Sequence, residues 1–97
     1  MSWNPETQPY KVDVYRKYEH PRDRWNALRV HFFATWQQAI EFANSLTGED
    51  LVSFRISYAL NKRNWIRQGG WLLVARKNFP GELKMEKNPD ELQSHFD

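Results

Sequence analysis

The chain of 97 residues contains no cysteine, which excludes disulfide bonds and thiolate-ligated metal sites. It also has no long apolar run, since its apolar stretches are far shorter than the roughly 20 residues that a membrane-spanning helix needs. The first residues, MSWNPETQP, have neither the basic start nor the apolar segment of a secretory signal. We therefore expect a cytoplasmic protein that has no membrane partner.

Patterns typical of catalysis or of cofactor binding are scarce. The three histidines, His20, His31 and His95, lie far apart and have no neighbouring pattern of a base or a metal ligand. Gly69 and Gly70 are not followed by the Lys-Ser/Thr pair of a phosphate-binding loop. We therefore expect a protein that is not an enzyme, with no catalytic residue, no metal site and no cofactor.

Acidic residues are absent between Leu51 and Pro80, a segment that contains six lysines and arginines. The segment from Gly81 to Asp97 has the opposite balance, with five acidic residues against two lysines. Such an asymmetry informs about partners rather than about the fold. It leaves two alternatives: the basic segment binds a partner, or the acidic tail folds back and neutralises it.

Aromatic residues are abundant, with five Trp, four Tyr and six Phe. A domain of this size buries only about 60 to 70 % of its unfolded surface, so it cannot easily hide fifteen large rings. Some of these rings are therefore expected at the surface, where large aromatic side chains contact a partner.

The clearest helical pattern runs from Thr35 to Gly48. Apolar residues recur there at the three- and four-residue spacing of one helix face: Trp36, Ala39, Ile40, Ala43 and Leu46. Thr35 and Gln38 have the spacing of a capping box, and Gly48 is suited to end the helix. The segment predicts one amphipathic helix that must cover an apolar surface.

Alternation of apolar and polar residues predicts four strands, over residues 10–18, 25–33, 51–60 and 71–77. In the first strand Tyr10, Val12 and Val14 share one side, and in the third strand Val52, Phe54, Ile56, Tyr58 and Leu60 do. In the second strand the more apolar side holds Leu28, Val30 and Phe32, which predicts that this side faces the helix. The same phases predict an outward side that includes Tyr15, Phe33, Trp71 and Leu73.

The resulting order is β-β-α-β-β. We interpret it as an α+β fold, a two-layer sandwich in which one long helix covers one face of a four-stranded, mainly antiparallel sheet. Residues 1–80 would form this single domain, and residues 81–97 an acidic tail. For the tail, the Asn88-Pro89 start with Glu91 at the capping-box position predicts a short helix, although a helix this short needs docking to persist.

One helix cannot cover both faces of a sheet, so the other face is the predicted interaction surface. Its candidate contacts lie on a basic hairpin from Arg55 to Lys77 and are Arg55, Lys62, Arg63, Trp65, Arg67, Trp71, Arg76 and Lys77. The leading hypothesis is a non-catalytic module that binds a protein partner or a second copy of itself. The alternative is a single-stranded nucleic-acid binder, in which the same rings stack on bases and the same cations contact phosphates.

Overall fold

The computed structural model describes residues 7–17, 28–59 and 70–92. These residues form one antiparallel sheet and two helices. In chain order the elements are β1 (Tyr10–Arg16), β2 (Leu28–Phe33), α1 (Trp36–Ser45), β3 (Leu51–Ala59), β4 (Trp71–Asn78), β5 (Lys84–Met85) and α2 (Pro89–Leu92). No helix in these three ranges is long and apolar enough to cross a membrane.

The sheet has five strands in the order β2-β1-β3-β4-β5, and each neighbouring pair is antiparallel. The predicted α+β class is confirmed, but the predicted count of four strands is one too few. The fifth strand contributes only two pairs, Ala75 with Met85 and Arg76 with Lys84. A strand of two residues cannot display an alternating pattern, which explains why the sequence did not reveal it.

The start of α1 has the predicted capping box. The hydroxyl oxygen of Thr35 accepts a hydrogen bond from the amide of Gln38 at 3.1 Å, and the Gln38 side chain accepts one from the amide of Ala34, also at 3.1 Å. These two bonds satisfy amide groups that have no partner within a helix. The capping residues thus fix the point at which the chain leaves the sheet and enters α1.

The end of α1 differs from the prediction. The helix stops at Ser45, and the extended backbone of Leu46 follows it, so Gly48 is not the residue that ends the helix. Gly48 instead has a φ of 128° in the turn before β3. A Cβ atom there would lie 2.6 Å from the carboxylate of Asp50, so glycine suits this turn for both conformation and space.

The core lies between the sheet and α1. Small side chains on the helix, Ala39 and Ala43, are buried and allow the helix to approach β1 closely. The ring of Tyr10 contacts Tyr58 at 4.9 Å and Trp36 at 6.3 Å between centroids. The largest fully buried side chains are Phe54, Ile56, Leu92, Val12, Val14 and Val74. The predicted inward phases of β1 and β3 are confirmed by this list.

The predicted orientation of β2 is wrong. Phe33 pairs with Tyr10 and its ring lies 5.1 Å from that of Phe42 on α1, so Phe33 faces the helix. His31 also faces α1, with its ring 4.5 Å from that of Phe42. Phe32 consequently lies on the opposite face. Because β2 is at the edge of the sheet and both of its sides carry apolar residues, local hydrophobicity did not determine which side faces the core.

Residues 89–92 pack on the helix side of the sheet through Leu92. The short helix predicted near Asn88 is present as α2, and the Asn88 side chain accepts a hydrogen bond from the amide of Asp90 at 3.0 Å. Leu92 belongs to the main core cluster. Burial, with smaller contributions from Tyr58 and Asp90, raises the pKa of Tyr10 to about 12. The tail therefore adds to the layer that contains α1.

Replacement of Leu92 by alanine tests this packing. Leu92 is 2 % exposed, so Leu92→Ala is expected to lower the free energy of unfolding by about 2 to 3 kcal/mol through lost burial and a residual cavity. The measurement is urea denaturation followed by tryptophan fluorescence. Leu83, which is 36 % exposed, provides the matched control, and Leu83→Ala should cost less than about 1 kcal/mol. Equal losses for the two variants would contradict the docking of α2.

A candidate binding face on the uncovered side of the sheet

Side chains that are directly opposite one another on antiparallel strands share a face of the sheet. Since Tyr10, Val12 and Val14 face α1, the alternate residues of β1 face away from it. Among the described residues, no helix packs on that second side. We call it the open face, and the strand register places on it Lys11, Asp13, Tyr15, Val30, Phe32, Arg55, Ser57, Leu73, Arg76 and Lys84, with Trp71 beside them.

A row of charged residues crosses the open face. Asp13 on β1 is opposite Arg55 on β3, Arg55 is opposite Arg76 on β4, and Arg76 is opposite Lys84 on β5. Like charges in opposite positions repel, so the row needs compensating groups. Glu86 supplies one, because its carboxylate lies 3.1 Å from the Nε atom of Arg76. The row still contains three cations against the Asp13 and Glu86 carboxylates.

Arg55 is an available cation at the centre of this row. Its side chain is exposed, and its guanidinium carbon lies 5.8 Å from the centre of the Tyr15 ring. In the part of the chain that the structure describes, the Arg55 side chain forms no hydrogen bond and no ion pair. The ring beneath it favours a cation by its negative face without using the N–H donors. Arg55 therefore presents hydrogen-bond donors that a ligand can occupy.

Trp71 lies between two side chains from other strands. The Nζ atom of Lys11 is 4.3 Å from the Trp71 ring centre, and the Phe32 ring is 6.4 Å from it between centroids. Trp71 is half-buried as a result. Lys11 thus covers part of the ring and leaves less area free for stacking by a planar ligand. The cluster combines apolar area with a fixed positive charge.

Asp13 lies among these cations with its side chain only 13 % exposed. Its carboxylate is 3.5 Å from the Nζ atom of Lys11. Burial raises the pKa of Asp13 above its ordinary value, while Lys11 and Arg55 act in the opposite direction and only partly offset it. Asp13 therefore orients Lys11 and lowers the net positive charge at the centre of the open face.

The structure brings three of the predicted contact residues together on this face, namely Arg55, Trp71 and Arg76. Lys77 does not share this face: it is opposite Phe54 on the helix side, with its Nζ atom 4.8 Å from the Phe79 ring centre. The register of the β3–β4 pair shifts between Ile56 and Ser57. This shift places Lys77 on the side of the sheet away from Trp71 and Leu73. The remaining candidates, Lys62, Arg63, Trp65 and Arg67, are outside the described residues.

Sequence reasoning did not include Lys11, Asp13 and Phe32 among the contact residues. The alternation in β1 places Lys11 and Asp13 on the other side of the strand from Tyr10, and this was a usable signal. Their partners were not predictable in the same way, because Trp71 is distant in sequence and depends on strand register. The predicted outward positions of Tyr15 and Leu73 agree with the register, since Tyr15 is opposite Ser53 and Leu73 is opposite Ser57.

Metal chemistry has no candidate site in residues 7–17, 28–59 and 70–92, where no group of three or more His, Asp or Glu side chains is placed to hold an ion. The chemistry that the open face does offer is recognition. Exposed donors on Arg55, positive charge on Lys11 and Lys84, and the partly exposed rings of Trp71 and Phe32 suit a ligand with both acidic and apolar groups.

The pH dependence of stability tests the environment of Asp13. Because its pKa is raised on folding, the folded chain binds more protons than the unfolded chain above the ordinary value of 3.8. Stability of the wild type relative to Asp13→Asn, which cannot ionise, should therefore fall as the pH rises through this window. Urea denaturation of both proteins between pH 3 and pH 7 measures the difference.

Asp90→Asn, which removes an exposed carboxylate, is the control for the loss of one negative charge. A wild type that gains stability relative to Asp13→Asn as the pH rises would show that attraction to Lys11 and Arg55 outweighs the burial of the carboxylate.

Comparison with known proteins adds no family to this description. No protein-family model, no curated protein and no solved structure matches the chain. The residues of the open face and their contacts are therefore the basis for a functional proposal.

Proposed function

We propose that this chain is a non-catalytic binding module that holds an acidic segment of a protein partner against the open face. The observation that carries the proposal is Arg55, an exposed cation above the Tyr15 ring on a face that no described helix covers. The proposal includes no metal and no cofactor, and it assigns the module to the cytoplasm.

Arginine in this setting is well suited to a carboxylate. Its planar guanidinium group can donate two parallel hydrogen bonds to one carboxylate, and such charged bonds are stronger than neutral ones. The contact with Tyr15 restricts the side chain before binding, so less conformational entropy is lost when the ligand arrives. An aspartate or glutamate of the partner would bind at Arg55, and Lys84 on the same row would attract further acidic groups.

The apolar part of the open face would supply desolvated contact area. Trp71 and Phe32 are half-buried, and Val30 is 42 % exposed. Aromatic residues and arginine are the residue types most enriched among the energetically dominant contacts of protein interfaces. We therefore place the apolar anchor of the partner beside Trp71 and its acidic group at Arg55.

The predicted contacts between β3 and β4, Lys62, Arg63, Trp65 and Arg67, remain part of the proposal. They follow β3 in the sequence and precede β4, and three of them are cations. With Arg55 and Arg76 they would contact acidic groups of the partner. A second copy of the chain remains the alternative partner for this face.

Single-stranded nucleic acid is the second candidate ligand, because Trp71 lies beside cations as in stacking grooves. One feature of the open face favours protein over nucleic acid. Lys11 covers part of the Trp71 ring, which reduces the area on which a base could stack.

Charge reversal at Arg55 tests the protein-binding proposal. Wild type and Arg55→Glu would be immobilised and exposed to extract of the native cells, and retained proteins quantified by mass spectrometry. At least one protein is expected to be retained by the wild type and reduced about tenfold or more by Arg55→Glu, the usual effect of losing a dominant charged contact.

Lys77→Glu is the matched control, because it makes the same charge change on the helix side of β4. It should leave retention of the same protein within about twofold, as expected for a residue outside the interface. Equal loss with both variants would indicate a general charge effect and would contradict binding through the open face.

Titration with a fluorescent single-stranded oligonucleotide separates the two candidate ligands. With protein as the natural ligand, fluorescence anisotropy should show no binding even at low salt. Binding that weakens steeply with salt would instead support the nucleic-acid alternative. In that case Arg55→Ala should reduce the slope of log K against log salt concentration by about 1, the value of one phosphate contact.

A further inference from the structure

The edge of the sheet formed by β2 is a second surface, separate from the open face. Within the described residues β2 pairs with β1 alone, so its outer backbone groups face away from the sheet. Its six residues, LRVHFF, include no proline and one charged residue, Arg29. Edge strands are usually protected against pairing by charged side chains, by proline or by being very short. The opposite edge, β5, has only two residues, whereas β2 has six and carries Arg29 as its one charged side chain.

Apolar side chains line both sides of this edge. Val30 is 42 % exposed on the open face, and Phe32 on the same face is half-buried. On the helix side, Phe33 and Phe42 are half-buried and line an open cleft that also includes Glu41. A strand that paired with β2 would therefore contact apolar groups on each side of the sheet as well as the backbone.

We propose that β2 pairs with β2 of a second copy of this chain, antiparallel about a two-fold axis at His31. In this register helix-facing residues of one copy are opposite helix-facing residues of the other. The helices of both copies therefore lie on the same side of the joined sheet. On the open face, Val30 of each copy is then opposite Phe32 of the other. On the helix side, Arg29 of each copy is opposite Phe33 of the other.

Charge complementarity favours a second copy over an unrelated extended peptide. Arg29 is exposed and is the cation of β2, while Glu41 is exposed on α1 beside Phe33 and Phe42. In the proposed register Arg29 of one copy comes next to Phe33, and so next to Glu41, of the other. The two-fold axis forms this pair twice. An unrelated strand would gain the backbone hydrogen bonds without these matched contacts.

The pairing would join two five-stranded sheets into one continuous sheet of ten strands. Five paired residues in each copy bury less than the roughly 1,200 to 2,000 Å² of a standard stable interface, so dimerisation should depend on concentration. The proposal differs from partner binding at the open face, and each can fail without the other.

An engineered cysteine tests the axis directly, because the chain contains no other cysteine. Opposite residues of antiparallel strands have Cα atoms about 4.5 to 5.5 Å apart, within the range of about 4.4 to 6.8 Å that a disulfide accepts. His31→Cys should form a disulfide-linked dimer under mild oxidation. Val52→Cys is the control. Like His31, Val52 is exposed, with 40 % of its surface accessible, but it lies on β3, inside the sheet. Equal, slow cross-linking of both variants would overturn the proposed axis.

Charge reversal provides an independent measurement on the uncross-linked protein. Sedimentation equilibrium over a range of concentrations should show dimers of the wild type. Arg29→Glu and Glu41→Arg should each weaken dimerisation about tenfold, because two attractive pairs become repulsive. The double variant should recover most of the loss by restoring opposite charges. A monomer at all concentrations, or single variants that equal the wild type, would overturn the proposal.

Discussion

The structure depends on the packing of one short helix against a sheet that it can cover on one side only. The helix α1 has ten residues, and its buried alanines allow close contact with β1. The short helix α2 adds Leu92 to the same layer. Among the residues that the structure describes, no helix covers the opposite side. Side chains on the open face must therefore stabilise one another through pairs such as Lys11 with Trp71 and Arg55 with Tyr15.

Local sequence patterns predicted those strands and helices that bury only one of their sides. Phe54, Ile56 and Tyr58 alternate with polar residues, and their strand faces the helix as predicted. The capping box at Thr35 is equally local, because its partners are three residues apart. The same reasoning failed for β2, where Phe32 and Phe33 are adjacent and an edge strand buries too little for either phase to dominate. It also missed β5, whose two residues pair without a pattern of their own.

The candidate site could be predicted in composition but not in arrangement. Basic and aromatic residues near β3 and β4 were visible in the sequence, and Arg55, Trp71 and Arg76 do share one face. The position of Lys77 depends on the shifted register between Ile56 and Ser57, and no local rule indicates such a shift. Asp13 is the more informative omission. A buried carboxylate beside Lys11 limits the positive charge of the face, and this contribution becomes visible only when β1 and β3 are placed side by side.

The two proposed surfaces are adjacent and share two residues, Val30 and Phe32. Val30 belongs to the open face and also to the β2 edge, where it would be opposite Phe32 of a second copy. Phe32 in turn contacts Trp71, which lies beneath Lys11. Pairing of the β2 edges would therefore bring Val30 and Phe32 of both open faces to the two-fold axis and leave Arg55, on β3 of each copy, further out. A partner with two acidic segments could then bind both copies, and the linkage would strengthen binding without any new contact.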